Sequence, residues 1–344
     1  MVMSDSEPAP SKPATIYDVA RRAGVSHQTV TRLLNGFEGI KPTTRQRVLD
    51  ALEELNYRPN LAARQLRSSR SNRIGALADE MAQTGPGRVI QGAVAGAREA
   101  GYVLDIVSMT GDDESSIAEA LTYLELQQVA GIFATAQTDQ VKAVLDRHPP
   151  RVPILVDYRI GHELDAEGLS FDVNGGVAAG NHLVGLGHRR VACLAGPNSW
   201  HSARDRVLGF VEAVEAAGAT CELVMEGDWS PESGHDAGLR FPLDRGITGV
   251  FAANDYMGLG FMRALAERGV RVPEDVSVIG FDDIPEARFL TPPLTSVAID
   301  FEAEGDFAIR WLIANIEGGS RPSSAEFPAA ELVVRDSTAP PPSR

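Results

Sequence analysis

The chain has 344 residues, 43% hydrophobic and 23% charged, an ordinary globular composition with room for two or three domains. It contains no run of about 18 apolar residues, so no membrane-spanning helix is expected. A net charge of −15 taken whole argues against nucleic acid, but residues 12–73 hold twelve Lys/Arg against five Asp/Glu, a net of +7 that leaves −22 on the rest. A basic head on an acidic body implies a localised polyanion contact, with the body repelling phosphate.

Residues 1–14 lack the apolar core of a signal peptide and read as a disordered polar lead. Residues 15–59 read as three short helices. Thr15 caps the first, with Asp18 as its capping-box partner; Ile16, Val19, Ala20 and Ala23 form its apolar stripe. Gly24 ends it where a left-handed residue is useful. Val25 packs inward, and Ser26 caps the second helix. Val30, Leu33 and Leu34 supply that helix's buried face before Asn35-Gly36 ends it. A third helix, about Pro42 to Leu55, presents Val48, Leu49, Leu52 and Leu55, and a second basic patch follows in RPNLAARQLRSSRSNR.

Two helices joined through Gly24, with the small Ala20 at the crossing, make a helix-turn-helix. The second helix turns His27, Gln28, Thr31 and Arg32 outward. Gln bonds adenine bidentately, Arg bonds guanine bidentately, and His donates to guanine. The free N–H groups at the helix start, near Ser26 and His27, favour phosphate. The bland alternative is a solvated polar face.

From about Arg73 the texture changes, and short apolar runs alternate with amphipathic helical patterns. IGALA, GRVIQGAVAGAREAG, YVLDIVS, SSIAEALTYLELQQ, AGIFA and PILVD form one series. A second begins near Phe171 with NGGVAAGNHLVGLG, RRVACLAG and SARDRVLGFVEAVEAAG, and continues through TGVFAAN, YMGLGFMRALAERG and VSVIGFDD. This βαβ rhythm predicts two doubly wound parallel-sheet lobes, an α/β body behind an all-α head. Ligands in such folds bind at the carboxyl ends of the strands, here facing a cleft between lobes. The end, residues 339–344, reads as a disordered tail without heptads.

The patterns of common enzymes are missing. Asp282 and Asp283 are adjacent rather than set across a scissile bond. There is no G-x-S-x-G, P-loop or H-E-x-x-H, and GLGH lacks dinucleotide spacing. Cys193 and Cys221 have no metal-ligand spacing and read as reduced thiols of a cytosolic protein. No enzyme activity, cofactor or metal is expected.

TIYDVARRAGVSHQTVTRLLNG, followed by TRQRVLDALEELNYRPNLAARQLRS, closely resembles the lactose-repressor family of bacterial transcription regulators. LAGPNSWHSARDRVLGF, EGDWSPESG, VFAANDYMGLGFMRAL and VSVIGFDDIPEARFLTPPLTSV look like its effector-binding core, so the resemblance covers nearly everything after Thr15. It implies a helix-turn-helix domain over 15–59, a hinge helix and linker over 60–72, and a periplasmic-binding-protein-like core over 73–338. One lobe would take about 73–171 and 299–328, the other about 172–298 and 329–338. His27, Gln28 and Arg32 match its base-reading positions. Ser26, Thr31, Tyr57, Asn60, Arg64 and Arg67 are assigned to phosphates and other DNA contacts. Leu66 matches a leucine that wedges into the minor groove, where unstacking costs a few kcal/mol and the bend recovers contacts; an ordinary core leucine is the alternative. One departure is Lys41, which replaces the hydroxyl that usually caps the third helix, a loss of about 1 kcal/mol. Either a phosphate offsets it, or Thr43 or Thr44 caps a shifted start.

In the core, Asp157, Ser202, Arg206, Trp229, Asn254 and Asp282 match positions that bind sugar effectors in that family. The chemistry suits a carbohydrate. Asp157 and Asp282 accept hydroxyl protons, Arg206 and Asn254 fix oxygens, and Trp229 offers a flat face, with Phe171 adding a second. The alternatives are Trp229 as packing, Ser202 as a helix cap and Asp282 as a structural cap. Asp79 and Glu80 follow the first core strand, where they either face the cleft or are solvated loop acids. The expectation is a cytoplasmic homodimeric repressor of a carbohydrate operon. A sugar would release it from a double-stranded palindromic operator, and no membrane would be involved. A corepressor mode, in which ligand strengthens DNA binding, stays open. A free sugar-binding protein is opposed by the basic head and the missing signal peptide.

Overall fold

A computed structural model describes residues 14–34, 37, 39–57, 71–136, 138–156 and 171–343. Asn60, Arg64, Leu66, Arg67 and Asp157, all singled out above, lie outside the described residues. The chain divides into two compact units, Met1–Arg70 and Ser71–Arg344.

The first unit holds α1 (Ile16–Ala23), α2 (His27–Leu34) and α3 (Pro42–Glu54). The capping box forms in full: the Thr15 amide donates to Asp18 Oδ2 at 2.9 Å, and the Asp18 amide to Thr15 Oγ1 at 3.3 Å. Gly24 stands at φ 62°, the left-handed conformation that only glycine takes without strain, and turns the chain so that the Val25 amide bonds Ala20 O at 3.0 Å. Val19, Val30 and Val48 are fully buried, closed in by Ala20, Ala23, Leu33 and Ala51. Leu49, expected inside, is exposed, because at 100° per residue Val48, Ala51, Leu52 and Leu55 share one face and Leu49 falls off it. α3 starts at Pro42 with Lys41 in the cap position and no side-chain cap bond, so the shifted start is not taken.

The second unit opens with β1 (Arg73–Ala78), α4 (Thr84–Glu99), β2 (Val103–Ser108), α5 (Glu114–Leu126), β3 (Gly131–Ala134), α6 (Asp139–Arg147) and β4 (Ile154–Val156). These strands make a parallel sheet in the order β2-β1-β3-β4. Then come α7 (Phe171–Gly185), β5 (Arg190–Ala195), α8 (His201–Ala216), β6 (Thr220–Glu226), α9 (Pro231–Arg240), β7 (Gly249–Ala252), α10 (Asp255–Glu267), β8 (Ser277–Asp282) and β9 (Thr295–Ala298). After β9 the chain returns to the first lobe as α11 (Phe301–Glu317), which packs on α4, and goes back to finish as β10 (Glu331–Val333). The second sheet runs β10-β9-β8-β7-β5-β6. Its parallel order is broken only at the β10 edge, which pairs antiparallel with β9.

The central strands β3, β7 and β8 are buried along their whole length, the signature of a sheet covered on both faces. In the second lobe Phe210 stacks on Phe251 at a centroid distance of 4.9 Å and Phe251 meets Phe281 edge-on at 6.3 Å, each ring contributing roughly 1.5–3 kcal/mol by its burial. The end of the chain differs from expectation. Ala339, assigned to a disordered tail, accepts bonds from Ser277 Oγ and pairs with His188 Nε2, both at 3.0 Å, and its own amide donates back to Ser277 Oγ. Backbone groups that find buried partners order a segment whatever its composition.

Candidate DNA-reading face and effector cleft

On α2, His27, Gln28 and Arg32 are exposed on one side while Val30 and Leu33 are buried on the other. Thr31 is half-buried and its hydroxyl donates to His27 O at 3.0 Å, which reduces its freedom to meet DNA. Ser26 Oγ accepts from the Thr29 amide at 3.3 Å, so it caps the helix. Tyr57 is half-buried against the head core. The His27 ring lies 5.2 Å from that of Tyr17, tilted at 45°. Tyr17 was not selected from the sequence, although its place off the apolar stripe of α1 was the available signal; it is 57% exposed.

In the second unit, α7 and α8 cross backbone to backbone. A Cβ at Gly176 would sit 2.2 Å from Arg206 O, and one at Gly209 2.0 Å from Val173 O. That approach sets Arg206 beside Asp172. Its Nε donates to Asp172 Oδ1 at 2.7 Å, and its Nη1 to Ala253 O at 2.6 Å and Asp282 Oδ1 at 3.1 Å. Its guanidinium carbon lies 3.8 Å from the Phe281 ring centroid and 5.6 Å from that of Trp229. All three charged groups are buried. Burial opposes the charge of Arg206, but Asp172 and Asp282 outweigh it and raise its pKa. Burial pushes Asp282 up to about 6, with Arg206 opposing and Asp172 adding to the rise.

The turn that aims Asp282 is strained: Asp282 has φ 99° and Asp283 φ 47°. Buried Asp255 holds it, accepting from the Ile284 amide at 2.8 Å and from Ser296 Oγ at 2.6 Å. Burial drives the Asp255 carboxyl well above the usual range. Trp229 is likewise at φ 71°, unusual for a bulky residue. Asn254 secures it: its Nδ2 donates to Trp229 O at 3.0 Å, while its Oδ1 accepts from the Met257 amide at 2.8 Å and caps α10. The Trp229 ring meets Trp200 edge-on at 6.3 Å.

These groups line two adjoining spaces between the lobes, which share Gly85, Pro86, Trp200, Ser202 and Arg206. The first adds Phe133, Thr135, Phe171, Asp172 and Glu304; the second adds Glu80, Trp229, Asn254 and Asp282. At one edge Asp139 accepts both Nη atoms of Arg204 at 2.9 Å and pairs with His201 at 3.1 Å, linking the lobes; Arg204 is the main reason its pKa is held low.

Phe171, Ser202, Arg206, Trp229, Asn254 and Asp282 therefore come together. Ser202 does not cap α8, whose cap residue is Trp200 with no side-chain bond, and its place on the cleft wall is what remains. Asp79 is displaced from the expected role. Its oxygens accept from the Gly111 and Glu80 amides, each at 2.9 Å, and it is Glu80 that lines the space. Burial raises the pKa of both. Sequence reasoning missed Asp172, Trp200 and Glu304. The spacing of Glu304 from Phe301, Phe307 and Ala308, an acid on an apolar helical face, was a legible signal.

Residues 15–60 match the model of bacterial regulatory proteins of the lacI family, and residues 181–338 that of the periplasmic binding protein-like domain. The Lactose operon repressor of Escherichia coli (strain K12) is 33% identical over 331 residues, 95% of this chain and 91% of that protein. The chain belongs to the lacI family. As a lacI-family protein it is a DNA-binding transcriptional regulator with an effector-binding core. A lac repressor dimer bound to operator and the anti-inducer ONPF superimposes with a TM-score of 0.80 at 32% identity, covering 95% of this chain and all of that one. The CelR–cellobiose complex gives 0.66 at 31%, covering 94% and 99%. The helix-turn-helix head and two-lobed core read from the sequence agree with these matches. No helix among the described residues is long and apolar enough to cross a membrane.

Proposed function

We propose that this regulator is a cytoplasmic, homodimeric repressor released from a pseudo-palindromic operator by a sugar. The observation that carries the sugar is the cleft itself: a buried guanidinium bridging two carboxylates beside the Trp229 ring. Carboxylates and guanidinium match vicinal hydroxyls, and the ring matches the apolar face of a pyranose. Relatives named for the lactose operon and for a cellobiose complex point the same way.

His27, Gln28 and Arg32 read bases. Ser26, through the helix N-terminus it caps, and Tyr57 serve the backbone, with Thr31 secondary. In the cleft Arg206, Asp282 and Ser202 bond hydroxyls, Trp229 and Phe171 pack the ring, and Asn254 acts chiefly by holding Trp229. The sugar must prefer the lobe arrangement that binds DNA poorly, since equal affinity for both shifts nothing.

The test uses the intact protein and a duplex that it recovers from a randomised DNA pool. Mono- and disaccharides are screened for release of that duplex. A sugar that releases it from wild type and leaves Trp229→Ala bound supports the reading. No response to any saccharide removes the sugar, and tighter binding makes the ligand a corepressor.

A further inference from the structure

Beyond α2, Phe37 is 51% exposed, although the head core lies close by in the chain. Its amide donates to Arg32 O at 3.0 Å, a six-residue closure that ties ring and arginine to the same helix end. The Arg32 guanidinium carbon lies 5.6 Å from the ring centroid, within the distance at which a ring face attracts a cation. The ring also folds against Gly39, where a Cβ would come 2.5 Å from Phe37 Cε1. Neighbouring arginines are held differently: Arg21 pairs with Asp18 at 3.1 Å and Arg22 with Glu54 at 2.5 Å. Among the described residues the contact of the Arg32 guanidinium is this ring rather than a carboxylate.

We propose that Phe37 is a positioning residue for base reading. Its ring restrains the Arg32 guanidinium before DNA arrives, so less rotamer freedom is lost when two parallel bonds to a base form. A π face does this without competing for the donors, whereas a carboxylate would occupy them. Gly39 leaves the space in which the ring lies. The inference rests on the base-reading role given to Arg32 above. A plain apolar cap on the end of α2 is the competing explanation, and an aliphatic side chain would serve that equally well.

The experiment measures binding of the intact protein to its selected duplex and to every single base-pair variant of it. Arg32→Ala first marks the base pair at which discrimination collapses. Phe37→Leu keeps an apolar cap but loses the π face, and Gly39→Ala pushes the ring aside with Phe37 intact. Each is expected to reduce discrimination at that one base pair about two- to fivefold, the range for an exposed cation–π contact. Phe37→Trp is expected to retain it, and Phe37→Leu to add nothing in the Arg32→Ala background. Full discrimination in Phe37→Leu, or equal weakening on all duplexes, overturns the positioning role while leaving Arg32 a base reader. If Arg32→Ala itself weakens all duplexes alike, the base-reading role fails and this inference falls with it. Should Phe37→Leu lose the thermal transition of the head, Gly39→Ala and Phe37→Trp decide.

Discussion

The reading face of α2 and the cleft between the lobes both use arginine, in opposite ways. Arg32 is exposed and rests beside a ring, while Arg206 is buried and bonded to two carboxylates and a carbonyl. An exposed group meets its partner at little cost to the fold. A buried one is part of the fold, so the cleft cannot lose its central cation without losing stability. Recognition and stability are thus separable in the head and coupled in the core.

The largest effect that tests this contrast is Arg206→Ala. It strands Asp172 and Asp282 in the interior and is expected to cost roughly 3–5 kcal/mol of core stability, read by denaturant unfolding of the intact protein. A midpoint unchanged from wild type would mean that the triad is hydrated and the coupling false. Arg32→Ala should cost about 1–3 kcal/mol of discrimination at a single base pair, with no change in the core transition. A shift in core stability would break the separation from the other side.

The pH dependence of Asp282 sharpens the cleft half. Its folded pKa of about 6 lies above the ordinary value, so the folded state holds the proton more tightly than the unfolded chain. Its contribution therefore favours folding below the ordinary carboxylate range and is lost as pH rises through about 6. Effector binding runs the other way, because the ionised carboxylate is the better acceptor. Calorimetric titration with the effector should show affinity falling as pH drops below about 6, by at most tenfold per pH unit for one proton. Asp282→Asn should flatten that profile, and a profile of unchanged steepness would assign the proton elsewhere. The smallest effect belongs to the head. Gly24→Ala forces a side chain into the left-handed region and should cost about 1–2 kcal/mol, seen as faster amide exchange at Val19 and Val30 with the core amides unaffected.

Legibility follows the same divide. In the head, Thr15, Asp18, Gly24 and Ser26 act on residues within a few positions of themselves, so their types and spacing were sufficient. Leu49 was misplaced although the 100° spacing that aligns Val48, Ala51, Leu52 and Leu55 already carries it off their face. In the core, the resemblance supplied Arg206, Trp229, Asn254 and Asp282 as members of one site, each read as a direct sugar contact. Asn254 turned out to hold the Trp229 backbone, and Asp79 to bond Gly111 rather than face the cleft. Asp172 stayed hidden because its partner is 34 residues away, on another helix.

The order of residues alone determined the helix-turn-helix, the alternation of strands and helices, and the basic head on an acidic body. Those depend on periodicity, caps and charge, which are local or additive. Only the folded chain decided that α7 and α8 touch through glycine, that Arg206 is shared between two acids, and that the chain's last segment is fastened to β8. Each of these needs groups distant in sequence to be brought within about 3 Å, where hydrogen bonds form and the low dielectric of the interior strengthens them.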